Sequence, residues 1–373
     1  MTHAPWRPAR PARRLLAGLA TAGLLLSAAT VASASTSPAP TSAAAPYSAA
    51  TPGGARTGAQ ANGAQANGAQ ASGARATGAR AAGTGGGHLL LALGDSLAAG
   101  YQPTDGYRPP PVDPATGLPD AGYPGGYAAD LAQRAHLRLV DLGCPGETTA
   151  SFTGRPAQAA CRRAYEAMTH TSNQLDAALA ELAAHRGQVA LVTFDLGAND
   201  VDACVHGTTL DTACLARVPL TLADRLPAIL ARLRSALRAD DPGARLVAMT
   251  YYDPFLALAD HPGGWRGDLL AAGSLGGLRA VNAALTALYR HAGVLVAHVA
   301  SAFSTGAVLP LERYRGHTLP KDVATICRLT WMCTTTAPGS LAGNVHPTTA
   351  GYTSIAAAFA RALSLPPAGS TAR

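Results

Sequence analysis

The feature that most constrains this chain is an alternation. Five short apolar runs, Leu89 to Leu93, Leu137 to Leu142, Val189 to Leu196, Arg245 to Tyr251 and Val294 to Val299, are separated by stretches of helical period. Those stretches are Tyr127 to Ala135, Ser172 to His185, Leu220 to Arg238, Leu278 to His291 and, last, Thr349 to Leu363. In the second of them Leu175, Leu179 and Leu182 share one face and Gly187 stands just past the end. Runs that are apolar throughout suit strands buried on both sides. The repeating order of strand and helix then predicts an α/β domain over residues 88–365, with a mainly parallel sheet covered on both faces. In such sheets reactive groups gather in the loops beyond the carboxyl ends of the strands.

The remainder of the chain reads differently. Residues 1–34 run from an arginine-rich start through an apolar stretch, Leu15 to Val31, to Ala32-Ser33-Ala34, the small-residue pattern of a cleaved secretory signal. Residues 35–87 collapse to Ala, Gly, Ser, Thr, Pro, Gln and Asn, with GAQAN-type repeats from Gly58. Such a segment has too little to bury to offset its ordering entropy, so a disordered linker is expected there, and a disordered tail over 366–373. The formal net charge of +7 does not imply a nucleic-acid partner, because residues 1–87 hold seven arginines and no Asp, Glu or Lys. The 22 basic residues beyond them equal the 22 acidic ones. No later segment is apolar over a bilayer's width. The expected product is a secreted, extracellular monomer with no stable membrane insertion after signal cleavage.

Four loops after strands carry residues suited to chemistry. After the first strand comes Gly94-Asp95-Ser96, which can expose a hydroxyl and its own N–H together, although it is also an ordinary turn sequence. After the second is Gly143-Cys144-Pro145-Gly146-Glu147, and after the third Gly197-Ala198-Asn199-Asp200. A glycine lets backbone approach a substrate, and an asparagine supplies an uncharged donor. Near the C-terminus, Asn344-Val345-His346-Pro347 places a histidine before a proline able to open the final helix.

Together these loops, with Val192 to Asp200, Tyr251 to Phe255 and His346 to Tyr352, resemble the blocks of the SGNH hydrolases, or GDSL esterases and lipases, of the secreted actinobacterial type. The resemblance implies a three-layer αβα sandwich around a central, mainly parallel five-stranded sheet, the SGNH/flavodoxin-like fold. It implies Ser96 as nucleophile and His346 as base, with the Ser96 N–H, the Gly146 N–H and the Asn199 side chain as oxyanion hole. The chain departs from the pattern where relatives carry an Asp three residues before the histidine, since Gly343 stands there. The histidine-orienting candidates are therefore the Gly343 carbonyl, which would leave a Ser-His dyad, and Asn344 Oδ1; Asp253 is a carboxylate that would have to come from elsewhere. The implied function is hydrolysis of small-molecule or lipid acyl esters through an acyl-enzyme, without a cofactor. The alternatives are a polysaccharide or cell-wall acetylesterase and a non-catalytic binding module on the same fold.

Six cysteines in an exported chain predict disulfides, and pairing of neighbours gives Cys144–Cys161, Cys204–Cys214 and Cys327–Cys333. No C-x-x-C or H-E-x-x-H spacing points to a metal. The loop over 101–126, with Tyr101, Tyr107 and Tyr123, is expected either to border an acyl pocket or to be a surface insertion. The connections 201–219 and 300–343 are open to the same two readings.

Overall fold

A computed structural model describes residues 88–103, 126–206, 209–260, 265–335 and 344–366. The signal and linker segments, Tyr107, Tyr123, Gly343 and the tail from residue 367 lie outside the described residues.

The chain order is β1 (Leu89–Gly94), α1 (Tyr127–Ala135), β2 (Arg138–Asp141), α2 (Ala159–Thr169), α3 (Gln174–Ala184), β3 (Val189–Asp195), α4 (Ala198–Asp202), β4 (Val205–His206), β5 (Thr209–Leu210) and α5 (Thr212–Asp240). It continues with β6 (Arg245–Met249), α6 (Trp265–His291), β7 (Leu295–Ala297), α7 (Val299–Ala302), β8 (Glu312–Tyr314), β9 (His317–Leu319), α8 (Lys321–Leu329), α9 (Met332–Thr335) and α10 (Thr349–Ala362). Five strands form one parallel sheet in the order β2-β1-β3-β6-β7, while β4–β5 and β8–β9 are separate antiparallel hairpins. Every residue of β1 is buried, as a strand covered on both faces requires. Helices α1 and α10 pack together, with Tyr127 stacked on Phe359 at 4.8 Å between ring centroids. Helices α3, α5 and α6 pack side by side. In this strand order the chain reverses its direction of travel between β1 and β3. The crevice beyond the carboxyl ends of those two strands is where a doubly wound sheet binds ligands.

Two helices are longer than their sequence pattern. Helix α5 begins not at Leu220 but at Thr212, where the Asp211 carboxylate accepts the Cys214 N–H at 2.9 Å, and it runs through Pro219 and Pro227. Burial of Leu215 and Val218 outweighs the donors that the two prolines remove. Helix α6 begins at Trp265 rather than Leu278 and holds Gly273, Gly276 and Gly277, poor helix formers that hide its first half. Gly277 has a packing reason. A Cβ there would come 2.2 Å from Leu215 Cδ2, so the glycine lets α5 and α6 close on each other. Helix α10 is opened not by Pro347 but by Thr348, whose hydroxyl accepts the Gly351 N–H; Pro347 instead bridges to Thr330.

Candidate active site

The turn after β1 can be built only with glycine at its start. Gly94 has φ +146, and a Cβ on it would stand 2.0 Å from Asp195 Oδ1. Its N–H donates to Gln174 Oε1 at 2.6 Å and its carbonyl accepts from Gln174 Nε2 at 2.9 Å, so one side chain of α3 holds both backbone polar groups of Gly94. Next, the Asp95 N–H donates to Asp195 Oδ1 at 2.9 Å, and Asp95 Oδ1 accepts the Leu97 N–H at 2.8 Å. This clamp leaves Ser96 at the cleft, 9% exposed.

The loop after β2 is joined to α4, the short helix directly after β3. Asn199 Nδ2 donates to the Glu147 carbonyl at 2.9 Å, while the Asp200 carboxylate accepts the Thr149 N–H at 2.9 Å and its hydroxyl at 2.6 Å. Cys144–Cys161 ties the loop after β2 to α2. Gly146 sits in this loop at φ +82, a backbone conformation that L side chains rarely adopt. Among the described residues, neither the Ser96 N–H nor the Gly146 N–H has an acceptor. Both residues line the same cavity as Asn199, whose second amide hydrogen is not used by Glu147.

His346 is brought to Ser96 from 250 residues away in sequence, with Nε2 2.8 Å from Ser96 Oγ. Its Nδ1 lies 2.9 Å from Asn344 Oδ1, and the same oxygen accepts the His346 backbone N–H at 3.0 Å. A backbone N–H can only donate, so the Asn344 atom that receives it is the oxygen and not the amide nitrogen. An oxygen acceptor facing Nδ1 requires the proton on Nδ1. The lone pair of the neutral ring is then on Nε2, facing the serine. Burial lowers the His346 pKa to about 4, which keeps the ring neutral at ordinary pH. The Tyr101 ring packs on the imidazole at 4.4 Å between centroids.

Asp253 does not reach His346. Its carboxylate accepts the Ser274 hydroxyl at 2.9 Å and the Phe255 N–H at 3.0 Å. The other acids near the site serve the scaffold. Asp195 also accepts the Tyr127 hydroxyl, at 2.6 Å. Burial raises Asp95 to about 7, with the Asp202 and Glu147 charges adding to the rise, and burial together with the Asp95 charge pushes Asp195 well above the usual carboxylate range. Glu147 is fully buried with neither side-chain oxygen hydrogen-bonded, and its pKa rises to about 7. The positioning roles of Gln174, Asp195 and Tyr127 leave almost no mark in the sequence, because each lies within an element whose pattern is otherwise that of core. Gln174 alone carried a hint, as a polar residue directly beside the buried face of α3.

The cavity at Ser96 has a volume of about 330 Å³, and Val201, Leu210, Leu215, Tyr252, Phe255 and Leu278 give it largely apolar walls. It combines a hydroxyl, a neutral imidazole with its second nitrogen engaged, and a set of donors around one space. That is the constellation nucleophilic acyl transfer requires. The family model for GDSL-like lipases and acylhydrolases matches residues 92–353, well over half of the chain. The chain belongs to this family. Its SGNH-type fold is similar to that of an extracellular lipase from Streptomyces rimosus, at 18% identity over 74% of this chain and 98% of that one, with a TM-score of 0.46. It is similar also to a phospholipase A1 from Streptomyces albidoflavus, at 18% identity, 74% and 98% coverage and a TM-score of 0.44. A third similar structure is an acetylxylan esterase from Geobacillus stearothermophilus, at 17% identity, 76% and 98% coverage and a TM-score of 0.38. No curated protein matches the chain. Membership of this family supports an ester-hydrolysing enzyme. Among its described residues no cluster of His, Cys, Asp or Glu could hold a metal ion, and no helix is long and apolar enough to cross a membrane.

Proposed function

We propose that this GDSL-like hydrolase is a secreted serine esterase that cleaves carboxylic esters of apolar acyl groups through an acyl-enzyme. Ser96 is the nucleophile, His346 the general base and acid, and Asn344 the residue that orients the histidine. The oxyanion donors are the Ser96 N–H, the Gly146 N–H and the Asn199 amide. One observation carries this reading: His346 Nε2 is 2.8 Å from Ser96 Oγ, both lining one largely apolar cavity, while Asn344 Oδ1 occupies Nδ1 at 2.9 Å. As Ser96 Oγ bonds to the ester carbonyl carbon, its proton passes to His346 Nε2, and the carbonyl oxygen takes up the negative charge against the three donors. The intermediate collapses by breaking the bond to the alcohol, which leaves with the proton from Nε2. Water then attacks the acyl-serine, its proton passes to Nε2 and returns to Ser96 as the acid departs. The proton on His346 Nδ1 stays there throughout, donated to Asn344 Oδ1.

The apolar walls favour acyl chains longer than acetyl over the acetylesterase alternative. Export is supported by the signal-like N-terminus and by three bridges, Cys144–Cys161, Cys204–Cys214 and Cys327–Cys333, which belong to an oxidising compartment. The test is a p-nitrophenyl ester panel from acetyl to palmitoyl on wild type and Ser96→Ala, alongside fluorophosphonate labelling. The expected outcome is labelling that depends on Ser96 and turnover that rises beyond the acetyl ester. Appreciable turnover by Ser96→Ala would overturn the nucleophile assignment, and a maximum at acetyl would overturn the substrate class.

A further inference from the structure

We infer that the exposed segment Val308–Leu311 and the hairpin after it form a docking surface for a lipid layer with anionic headgroups, an inference that rests on the reading of the site as one for apolar acyl esters. Val308, Leu309 and Leu311 are 53%, 73% and 55% exposed, and Pro310 between them is exposed too. A single surface leucine is ordinary. Four consecutive apolar residues facing outward on a loop mark an interaction site.

The unpaired charges beside this tip are of one sign. Strands β8 and β9 are joined by Arg315 and Gly316, at φ +46 and +88, a two-residue turn of the mirror-image kind that holds Arg315 at the hairpin's end. The Arg315 guanidinium lies 5.4 Å from the Tyr314 ring centroid, and Arg313, Arg315 and Lys321 have no carboxylate partner among the described residues. The two acids of the region are already engaged: Glu312 pairs with Arg328, and Asp322 is buried and accepts the Val323 N–H at 2.9 Å. An apolar tip beside uncompensated cations matches the boundary between acyl chains and anionic headgroups. A second copy of the chain would bring those cations against their own kind.

The surface is braced against the site. The Lys321 N–H donates to the Val308 carbonyl at 3.3 Å at the start of α8, and Arg328 near its end donates to the Arg313 carbonyl at 2.9 Å. At the end of α8 the Leu329 carbonyl accepts the Thr348 N–H at 2.8 Å, and two residues on the Trp331 N–H donates to the His346 carbonyl at 3.0 Å. Helix α8 thus connects this tip, at its start, with the loop that carries His346, at its end.

The experiment is vesicle co-sedimentation of the exported chain in a Ser96→Ala background, so that no lipid is consumed, using phosphatidylcholine alone and phosphatidylcholine with phosphatidylglycerol. The parent is expected to sediment more strongly with the anionic vesicles. Leu309→Asp with Leu311→Asp should lower that partition by about tenfold or more. Arg313→Gln with Arg315→Gln should remove the anionic preference and its sensitivity to salt. With Ser96 intact, both double variants should keep wild-type turnover of a soluble short-chain p-nitrophenyl ester, which also reports that they fold. The inference is overturned by equal partition of parent and leucine variant, by a parent with no preference for the anionic vesicles, or by a parent oligomer that the leucine variant dissolves. Because sedimentation is read without Ser96, failure of the esterase reading and failure of the docking surface are separate results.

Discussion

A residue-scale question decides how His346 works. An asparagine holds the imidazole where relatives of the family carry an aspartate nearby, and a neutral acceptor fixes the tautomer without stabilising an imidazolium. With burial dominating, His346 has a pKa of about 4. Only the neutral ring can take the serine's proton, so kcat/KM should hold its plateau down through mildly acidic pH and fall only as pH drops towards 4, which a pH–rate profile on a soluble ester would read. Asn344→Asp places a carboxylate against Nδ1, which stabilises the charged ring, and the acid limb should move to higher pH by about one unit or more. An unmoved limb would mean that the new carboxylate does not face Nδ1. Asn344→Ala should lower kcat by roughly a thousandfold, by analogy with loss of the orienting group in other triads. A loss under about tenfold would assign the orienting role to another acceptor and restore the Ser-His dyad. Asn199→Ala is expected to cut kcat by about 10²–10³ with KM nearly unchanged, since in the proposed role its amide meets charge that exists only in the transition state.

Elements, rather than single side chains, hold the donors in place. The turn after β1 is clamped by Gln174 from α3, while the loop after β2 is stitched to α4 by Asn199 on Glu147 and Asp200 on Thr149. Replacing Cys144 and Cys161 together by serine should cost about 2–5 kcal/mol in chemical denaturation. The same change should lower kcat more than it raises KM, because the freed loop carries the Gly146 N–H; an unchanged kcat would show that hydrogen bonds alone position that donor. Much of this scale was legible in the sequence. The apolar runs marked the five strands of the sheet, and α1 occupies the stretch its pattern indicated. Other elements escaped for physical reasons. Helix α2 has no side-chain cap and buries little beyond Cys161, Ala164 and Tyr165. Helix α8 likewise starts without a side-chain cap, in a connection that reads as loop. The prolines of α5 and the glycines of α6 oppose helix locally, and burial of the inner faces of both helices, Leu215 against Gly277 among them, overrides them.

At the scale of the whole molecule, buried acids make stability depend on pH in an unusual sense. Asp95, Glu147 and Asp253 are each buried, and each is raised to about 7. Unfolded, such carboxyls ionise near pH 4. Between those values the folded chain keeps protons that the unfolded chain has lost, so these groups make stability fall as pH rises from about 4 to 7. His346 acts in the opposite direction, since the unfolded ring binds a proton between its ordinary 6.5 and the folded value of about 4. Three carboxyls outweigh one imidazole. The thermal midpoint should therefore be higher near pH 5.5 than at pH 8; calorimetry showing the reverse would mean that water or rearrangement relieves these carboxyls. What the sequence determined by itself was the order of the five sheet strands and of the main helices between them, the cysteines' pairing by proximity, and the polar loops after β1, β2 and β3; the fourth, with His346, follows α9 rather than a strand. Those follow from local pattern, because burial on two faces, helical period and short-range bridging act between neighbours in the chain. Only the tertiary structure decided that Asn344 rather than Asp253 meets His346, that Gln174 and Asp195 shape the nucleophile turn, and that Val308–Leu311 faces outward. Each of those depends on where distant segments come to lie, and the energy that decides it resides in contacts between them.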